Sequence, residues 1–568
     1  MRKRALSVLL LVTFATITAN VASAQAGNPT EPPEPSPCIT DAQMQLTANP
    51  AQVQFGQSTV MSWSVTLPSG CTVVVRFNGQ VVGKTGSQTV TPTGTRNYNL
   101  TISRTIQGVF QQRSVSKRVE VRFPDRVVID PTTPNPVQVL ISALGANPIT
   151  IELCDVELDL TGHSLEVGHG TSLIASPRCA RGPRSLGSLI YITDNRPGSK
   201  PLFAIRGDNV VFSGFRLRGP TNGIGRGDNR LEKAIKIHPF SSPDPIHKIE
   251  ISNMEIFYWS GIAVEVADNN EQAERGRLFN TNPGAVTIRD SFIHDNQHGS
   301  GNGYGVKVGD GGYATIEHNV FDKNRHAIAG GSLSADKKDA SGYTLRENLI
   351  LEQGGKHCPD QWFWGILGWP DFRCWQTHQV DMHGSLNAFY SNSNWCCGIA
   401  GETIIIERNT ILYDAGPAIK IRGNPADKAV ADQNVFKHGN RNDAIKQNGD
   451  AVGAITNPID VLPNNVFLGK NDPVGPLGSC DFVGDGGQDQ FLATGVTWWA
   501  RSNSTAQWRY LNTKPERNSR LQLGHVDNDG KCDVALRPAS PVIPPRFYAK
   551  NGMGAWRPVQ VLDPIGDQ

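Results

Sequence analysis

Four short runs in the second half of the chain carry polar residues at spacings that could act together. They are Val306-Lys307-Val308-Gly309, Ile328-Ala329-Gly330-Gly331, Val380-Asp381-Met382-His383-Gly384 and Ile419-Lys420-Ile421-Arg422-Gly423. Each alternates apolar with polar or small residues, the period of a strand with one buried face. If Val306, Val308, Ile328, Val380, Met382, Ile419 and Ile421 point inward, then Lys307, Ala329, Asp381 and Lys420 form one outward column, with rungs roughly 4.8 Å apart. His383 and Arg422 form the next column, and His326 and His378, in register two residues upstream of Ile328 and Val380, are expected to bind substrate. Trp362, Trp364, Trp369 and Trp375 stand in the loop between these runs, with indole faces on which sugar rings stack.

Two reactions suit such a wall. In β-elimination on a uronate, a base removes the proton beside a carboxylate and cations stabilise the developing enediolate. Lys307, Lys420 and Arg422 suit the carboxylate, and His383 or Lys307 suits the base. In glycoside hydrolysis, two carboxyl groups flank the bond about 5–9.5 Å apart. Asp381 has no obvious acidic mate in its column, with Asp310 and Glu265 as candidates. The excess of cations favours elimination, and Asp381 beside His383 could also hold a metal or fix a tautomer.

The elements that must position these residues are repeats. V-T-I-R-D-S-F-I-H-D-N (286–296) is followed by A-T-I-E-H-N-V-F-D-K-N (314–324), Y-T-L-R-E-N-L-I-L-E-Q (343–353) and I-I-I-E-R-N-T-I-L-Y-D (404–414). Their marks are Asn319, Asn348 and Asn409, with Ser291 in the equivalent place and further copies at Asn253 and Asn434. A repeat of this length is the signature of stacked units. Period 2 with Val, Ile, Gly and Asn argues for strands, and Asn tolerates a left-handed bend while its amide can bond to the copy above. A parallel β-helix follows, each coil burying its apolar residues against the next.

These phrases resemble the pectate-lyase-like superfamily of right-handed parallel β-helices, and the likeness spans residues 124–468. Membership implies the fold; the superfamily includes lyases, hydrolases, epimerases and non-enzymatic spikes. No adjacent Asp pair followed by Gly-His-Gly is present, as in polygalacturonases; Val167-Gly168-His169-Gly170 lies upstream of the groove coils, and Ile419-Lys420-Ile421-Arg422 only echoes Arg-Ile-Lys. The pectate lyase Arg-x-Pro-x-x-Arg is also missing.

Around this domain the composition changes. Residues 1–24 read as a secretion signal: Arg2, Lys3 and Arg4 precede an apolar core, with Ala22-Ser23-Ala24 as a cleavage site. That core is short for a bilayer span and no second candidate follows. Residues 25–37 are a Pro-rich linker, and 38–123 alternate as an Ig-like β-sandwich with Trp63 facing its core. Residues 469–568 contain C-D-F-V-G-D-G-G-Q-D (480–489) and H-V-D-N-D-G-K-C-D (525–533), which resemble a pair of FG-GAP repeats. That resemblance implies calcium at Asp481, Asp485 and Asp489 and at Asp527, Asp529 and Asp533, although Val483 and His525 each replace one ligand. The expected architecture is therefore all-β: a right-handed parallel β-helix flanked by an Ig-like sandwich and a small FG-GAP-like module.

Net charge is +2, with 19% charged residues and no basic or acidic tail, which argues against nucleic acid. Ten cysteines in an exported chain imply disulfides. Local grouping pairs Cys38 with Cys71, Cys154 with Cys179 and Cys480 with Cys532, and leaves two bridges among Cys358, Cys374, Cys396 and Cys397, whose spacing lacks the paired C-x-x-C form of the rival reading, a zinc site. The combined expectation is a secreted, extracellular or periplasmic protein acting as a lyase on an acidic polysaccharide. A β-helix glycoside hydrolase and a non-catalytic protein binding a surface glycan are the alternatives.

Overall fold

The structure is a computed structural model. It describes residues 36–559 apart from segments 177–178, 180–185, 194–199, 221–231, 239–247, 268–284, 298–301, 332–340, 358–374, 385–396, 450–453 and 539–546 and a few single positions. The expected signal and linker thus lie outside the described residues, save Ser36 and Pro37. The chain divides into two compact units, the first built from Met1–Ala51, Ser58–Val90 and Arg96–Val119.

In the first unit, strands Gln43–Asn49, Thr59–Thr66 and Thr85–Val90 form an antiparallel sheet. Val74–Phe77 pairs antiparallel with Gln80–Val82 and with Arg96–Ile106, which pairs in turn with Val109–Arg122. Alternation in Thr59–Thr66 buries Met61, Trp63 and Val65, and the Trp63 ring stacks on Phe77 at 4.9 Å. Cys38 is bridged to Cys71.

The second unit is dominated by a right-handed parallel β-helix of three long sheets, with 11, 10 and 9 strands. One coil runs Val286–Arg289, Phe292–His294, Tyr304–Gly309; the next runs Tyr313–Glu317, Val320–Asp322, His326–Gly331. Further coils supply Gly342–Arg346, Leu349–Ile350 and Val380–His383, then Thr403–Glu407, Thr410–Ile411 and Ile419–Arg422. Alternate residues of every strand enter one continuous core, from Val127 to Ile459. Helix Pro136–Leu144 caps its first coils with Val139, Leu140, Ala143 and Leu144. No sequence pattern above had placed a helix there.

The corner between the first and second sheets explains the recurring Asn. Its left-handed residue is the one before the mark: Asp290, His318, Glu347, Arg408 and Gln433 have φ of 52–57°. The marked side chain turns inward instead. Asn319 Nδ2 donates to Asn348 Oδ1 at 3.1 Å, Asn348 to Asn409 at 3.0 Å, Asn409 to Asn434 at 3.0 Å and Asn434 to Asn465 at 3.0 Å. Each amide oxygen thus accepts both the backbone N–H and the side-chain N–H of the Asn one rung earlier. Asn253 is not a member of this ladder. It is itself left-handed (φ 53°), and Met254 lies where Ser291 lies one coil on. A second, shorter ladder joins Asn296 to Asn324 at 2.8 Å.

Residues 478–558 form two antiparallel four-stranded sheets, joined by the Cys480–Cys532 bridge. Leu492 and Trp499 from this region pack on Val320, Leu349 and Leu412 of the β-helix. The Cys154–Cys179 bridge is also formed, and Cys397 is disulfide-bonded; Cys358, Cys374 and Cys396 lie outside the described residues. Among the described residues no helix is long and apolar enough to cross a membrane.

Candidate functional site

The outward columns expected on the third sheet are formed. Lys307 pairs with Ala329, the next rung sets Ile328 beside Val380 and Gly331 beside His383, and Asp381 and His383 pair with Lys420 and Arg422. The inward partners Val306, Val308, Ile328, Val380, Met382, Ile419 and Ile421 are all buried in the core. Ala329 and the two glycines beside it leave the rung above Asp381 almost without side chains. A Cβ on Gly330 would come within 2.6 Å of Met382 Sδ, so a larger residue there must displace the Met382 side chain.

The column is not a uniform solvated face. Asp381 is fully buried, and the residues around it form a cluster. Its Oδ2 lies 2.5 Å from His383 Nε2, 3.1 Å from His378 Nε2 and 3.9 Å from His326 Nε2, while Oδ1 lies 3.2 Å from Arg422 Nε. His326 and His378 stack with ring centroids 4.3 Å apart, and Tyr304 stacks on the other face of His326 at 5.6 Å. Arg325 Nη1 donates to Tyr304 Oη at 3.2 Å, and Tyr343 Oη donates to the Asp381 carbonyl at 3.2 Å. Neither Arg325, Tyr304 nor Tyr343 was singled out from sequence. Arg325 and Tyr304 begin or precede strands of the column, so the register itself could have pointed to them.

Electrostatics sort the roles. Burial would raise the Asp381 carboxyl, but His383, His378 and Arg422 hold it well below the usual carboxylate range. Burial pushes His378 down to about 4, and pushes His326 well below its ordinary value. Both imidazoles are therefore neutral at pH 7, and Arg422 supplies the lasting positive charge beside Asp381. Burial, with Arg422 nearby, also lowers the Lys420 ammonium.

Lys307 has a different partner. Its Nζ is 3.0 Å from Glu265, whose other oxygen is 2.7 Å from Lys233 and 3.9 Å from Lys236. Burial would raise Glu265, but Lys307, Lys233 and Lys236 bring it down to about 2. Glu265 is three rungs from Asp381, or roughly 14 Å at the spacing of stacked strands. That excludes it as the second carboxyl of a hydrolytic pair. Asp310, Trp362, Trp364 and Trp369 lie outside the described residues, and Trp375 enters the short pair Lys356–His357 with Trp375–Gln376.

The acidic loops of residues 478–558 use their carboxylates locally. Asp481 accepts from the Gly484 and Gly486 amides (2.5 and 2.8 Å), Asp485 from the Gly487 amide (2.7 Å), and Asp489 from those of Phe482 and Val483 (2.9 and 3.0 Å). In the second loop, Asp533 accepts from the Val526 amide at 2.8 Å, and Lys550 Nζ sits 2.8 Å from Asp527 and 3.0 Å from Asp529.

Fold and cluster together define a parallel β-helix with a buried Asp–His–Arg centre on its third sheet. No family model matches the chain, and no curated protein matches it. Among solved structures it is similar to the Yersinia enterocolitica family 28 exopolygalacturonase, with a TM-score of 0.24 and 10% identity over 76% of this chain and 96% of that one.

Proposed function

We propose that the protein is an exported carbohydrate-active enzyme that cleaves an acidic, uronate-containing polysaccharide by β-elimination. The observation that carries this reading is the third-sheet centre itself. On adjacent rungs Arg422 stands beside the imidazole of His383 and Lys420 beside Asp381, a carboxylate sunk too deep to touch a sugar. Lys420 and Arg422 would bind the uronate carboxylate and stabilise the enediolate. His383, oriented by Asp381, would take the proton beside it, and the glycosidic oxygen would leave as the double bond forms. Lys307 is committed to Glu265, which leaves His383 as the base of the two considered.

The hydrolytic alternative needs a second carboxyl within reach, and among the described residues Glu265 is too far. The disulfides fit an oxidising, extracellular setting. For the C-terminal loops, the calcium reading carries over to Asp481, Asp485 and Asp489 alone, since Lys550 already neutralises Asp527 and Asp529. Calorimetric titration with calcium is expected to find one such site rather than two.

Incubation with a panel of uronate polymers should raise absorbance near about 235 nm, the mark of the unsaturated end left by proton abstraction and elimination. Reducing ends without that absorbance would establish hydrolysis. Neither signal, with binding retained on a glycan array, would establish the non-catalytic alternative.

A further inference from the structure

Two side chains behind the third-sheet wall, His326 and His378, are left without a role by that reaction, and both meet the Asp381 carboxylate that orients His383. One donor atom each from His326, His378 and Asp381 lies within 4.8 Å of the other two, and all three residues are buried. His326 Nδ1 faces the His378 carbonyl oxygen, which can only accept, so Nδ1 carries the proton and Nε2 is left as a lone pair. That Nε2 has no hydrogen-bond partner, and the fully buried Asp381 oxygens lie within ion-pair distance of His383, His378 and Arg422 without a well-directed hydrogen bond. His378 Nε2 is 3.1 Å from Asp381 Oδ2 and 3.1 Å from Arg422 Nη2. The first contact needs a proton on that nitrogen and the second needs a lone pair, so neither tautomer serves both. Buried polar groups left this way are costly unless something else satisfies them.

We infer that His326, His378 and Asp381 bind a divalent transition-metal ion of the zinc class. A cation among them takes both imidazole lone pairs and one carboxylate oxygen at once, which removes the conflict at His378. Two imidazoles and one carboxylate suit a borderline ion such as Zn2+, whereas calcium wants six or more oxygens and finds one carboxylate here. Tetrahedral coordination with bonds of about 2.0–2.1 Å sets neighbouring ligand atoms roughly 3.4 Å apart. The distances from Asp381 Oδ2 to the two Nε2 atoms, 3.1 and 3.9 Å, bracket that value. Outer partners are also in place: the His378 carbonyl fixes His326, and Arg422 Nε holds Asp381 Oδ1 at 3.2 Å. Three protein ligands leave a fourth position for water or another ligand.

The inference does not depend on the elimination chemistry, because metal loading is read without substrate. The full chain, stripped with a chelator and titrated with Co2+, is expected to take up one equivalent with the intense visible d–d absorption of tetrahedral coordination. Zn2+ should displace it and Ca2+ should not. His326→Gln and His378→Gln should each weaken Co2+ binding by roughly 100-fold or more, while His163→Ala, at an exposed turn, leaves it unchanged. Should either ligand variant fail to fold, wild-type protein decides the matter through its melting temperature, which Zn2+ should raise by mass action. Folded wild-type protein without a saturable d–d band overturns the proposal. So does a band that survives in both folded ligand variants. A silent lyase assay with an intact band would remove the elimination reading and leave the metal site standing.

Discussion

Replacing Asn348 with Ala tests whether the amide ladder holds the rungs in register. Asn348 is fully buried, its Oδ1 accepts from Asn319 N (2.9 Å) and Nδ2 (3.1 Å), and its Nδ2 donates to the Ile316 and Arg346 carbonyls (both 2.8 Å) and to Asn409 Oδ1 (3.0 Å). Two of these partners keep another bond, Asn319 Nδ2 with the Ile288 carbonyl and Asn409 Oδ1 with the Asn348 amide. Of the other three, the Ile316 and Arg346 carbonyls each lose a bond contributing about 1 kcal/mol, and the buried Asn319 N–H left unpaired costs about 1–3 kcal/mol. The expected destabilisation is roughly 3–5 kcal/mol. Asn464→Ala is the comparison, since Asn464 is exposed and makes a single side-chain bond to Asp432 at 3.1 Å; about 0.5 kcal/mol or less is expected there. Urea unfolding followed by far-UV circular dichroism reads both. Because each coil leans on its neighbours, the transition should also broaden in Asn348→Ala as cooperativity across that rung weakens. An unfolding midpoint for Asn348→Ala no lower than that of Asn464→Ala would refute the ladder as a source of stability.

Further outcomes follow from individual groups. Lys420→Ala and Arg422→Ala should each lower turnover on the responsive polymer by roughly 100- to 1,000-fold with folding retained; wild-type rates in both would remove these residues from the site. Glu265→Gln should destabilise the β-helix by roughly 3–5 kcal/mol, because Lys233 and Lys236 stay mostly buried, and Lys307 half-buried, with their shared carboxylate gone; an unchanged melting temperature would contradict the buried network. Burial would lower His318, but Asp290 and Glu347 raise it to about 9, and its ring stacks on Tyr510 at 3.8 Å. Since its folded value is above its ordinary one, this stabilisation is complete below about pH 6.5 and is lost as pH rises through about 9. Stability measured from pH 6 to 10 should therefore fall in wild type and fall less in His318→Gln; parallel profiles would refute it.

The parts of this architecture legible in sequence are those fixed by local alternation. Lys307, Asp381 and Lys420 were placed in one column because Val, Ile and Met at every second position leave no other face for them. The same alternation could not tell a buried outward residue from a solvated one. Asp381 points away from the core, as a period of 2 requires, and is nevertheless fully buried, with His326 and Arg422 from other rungs meeting the neighbouring His378 and His383 around its carboxylate. The Asn phrase was misread by one position for a related reason. Both residues of the corner tolerate polar side chains, and only backbone geometry separates the left-handed Glu347 from the inward Asn348. Asn253, which takes the left-handed place where later coils have Asp290 or His318, was therefore assigned to a ladder it does not join. The centre on the third sheet follows from these two effects acting together. Ladder and core fix the rungs, and Ala329 and Gly331 leave the rung next to Asp381 and His383 short of outward side chains. His326, His378, His383 and Arg422 then converge on one carboxylate, and it is this convergence, rather than the charge of the column, that distinguishes the site from an ordinary solvated face.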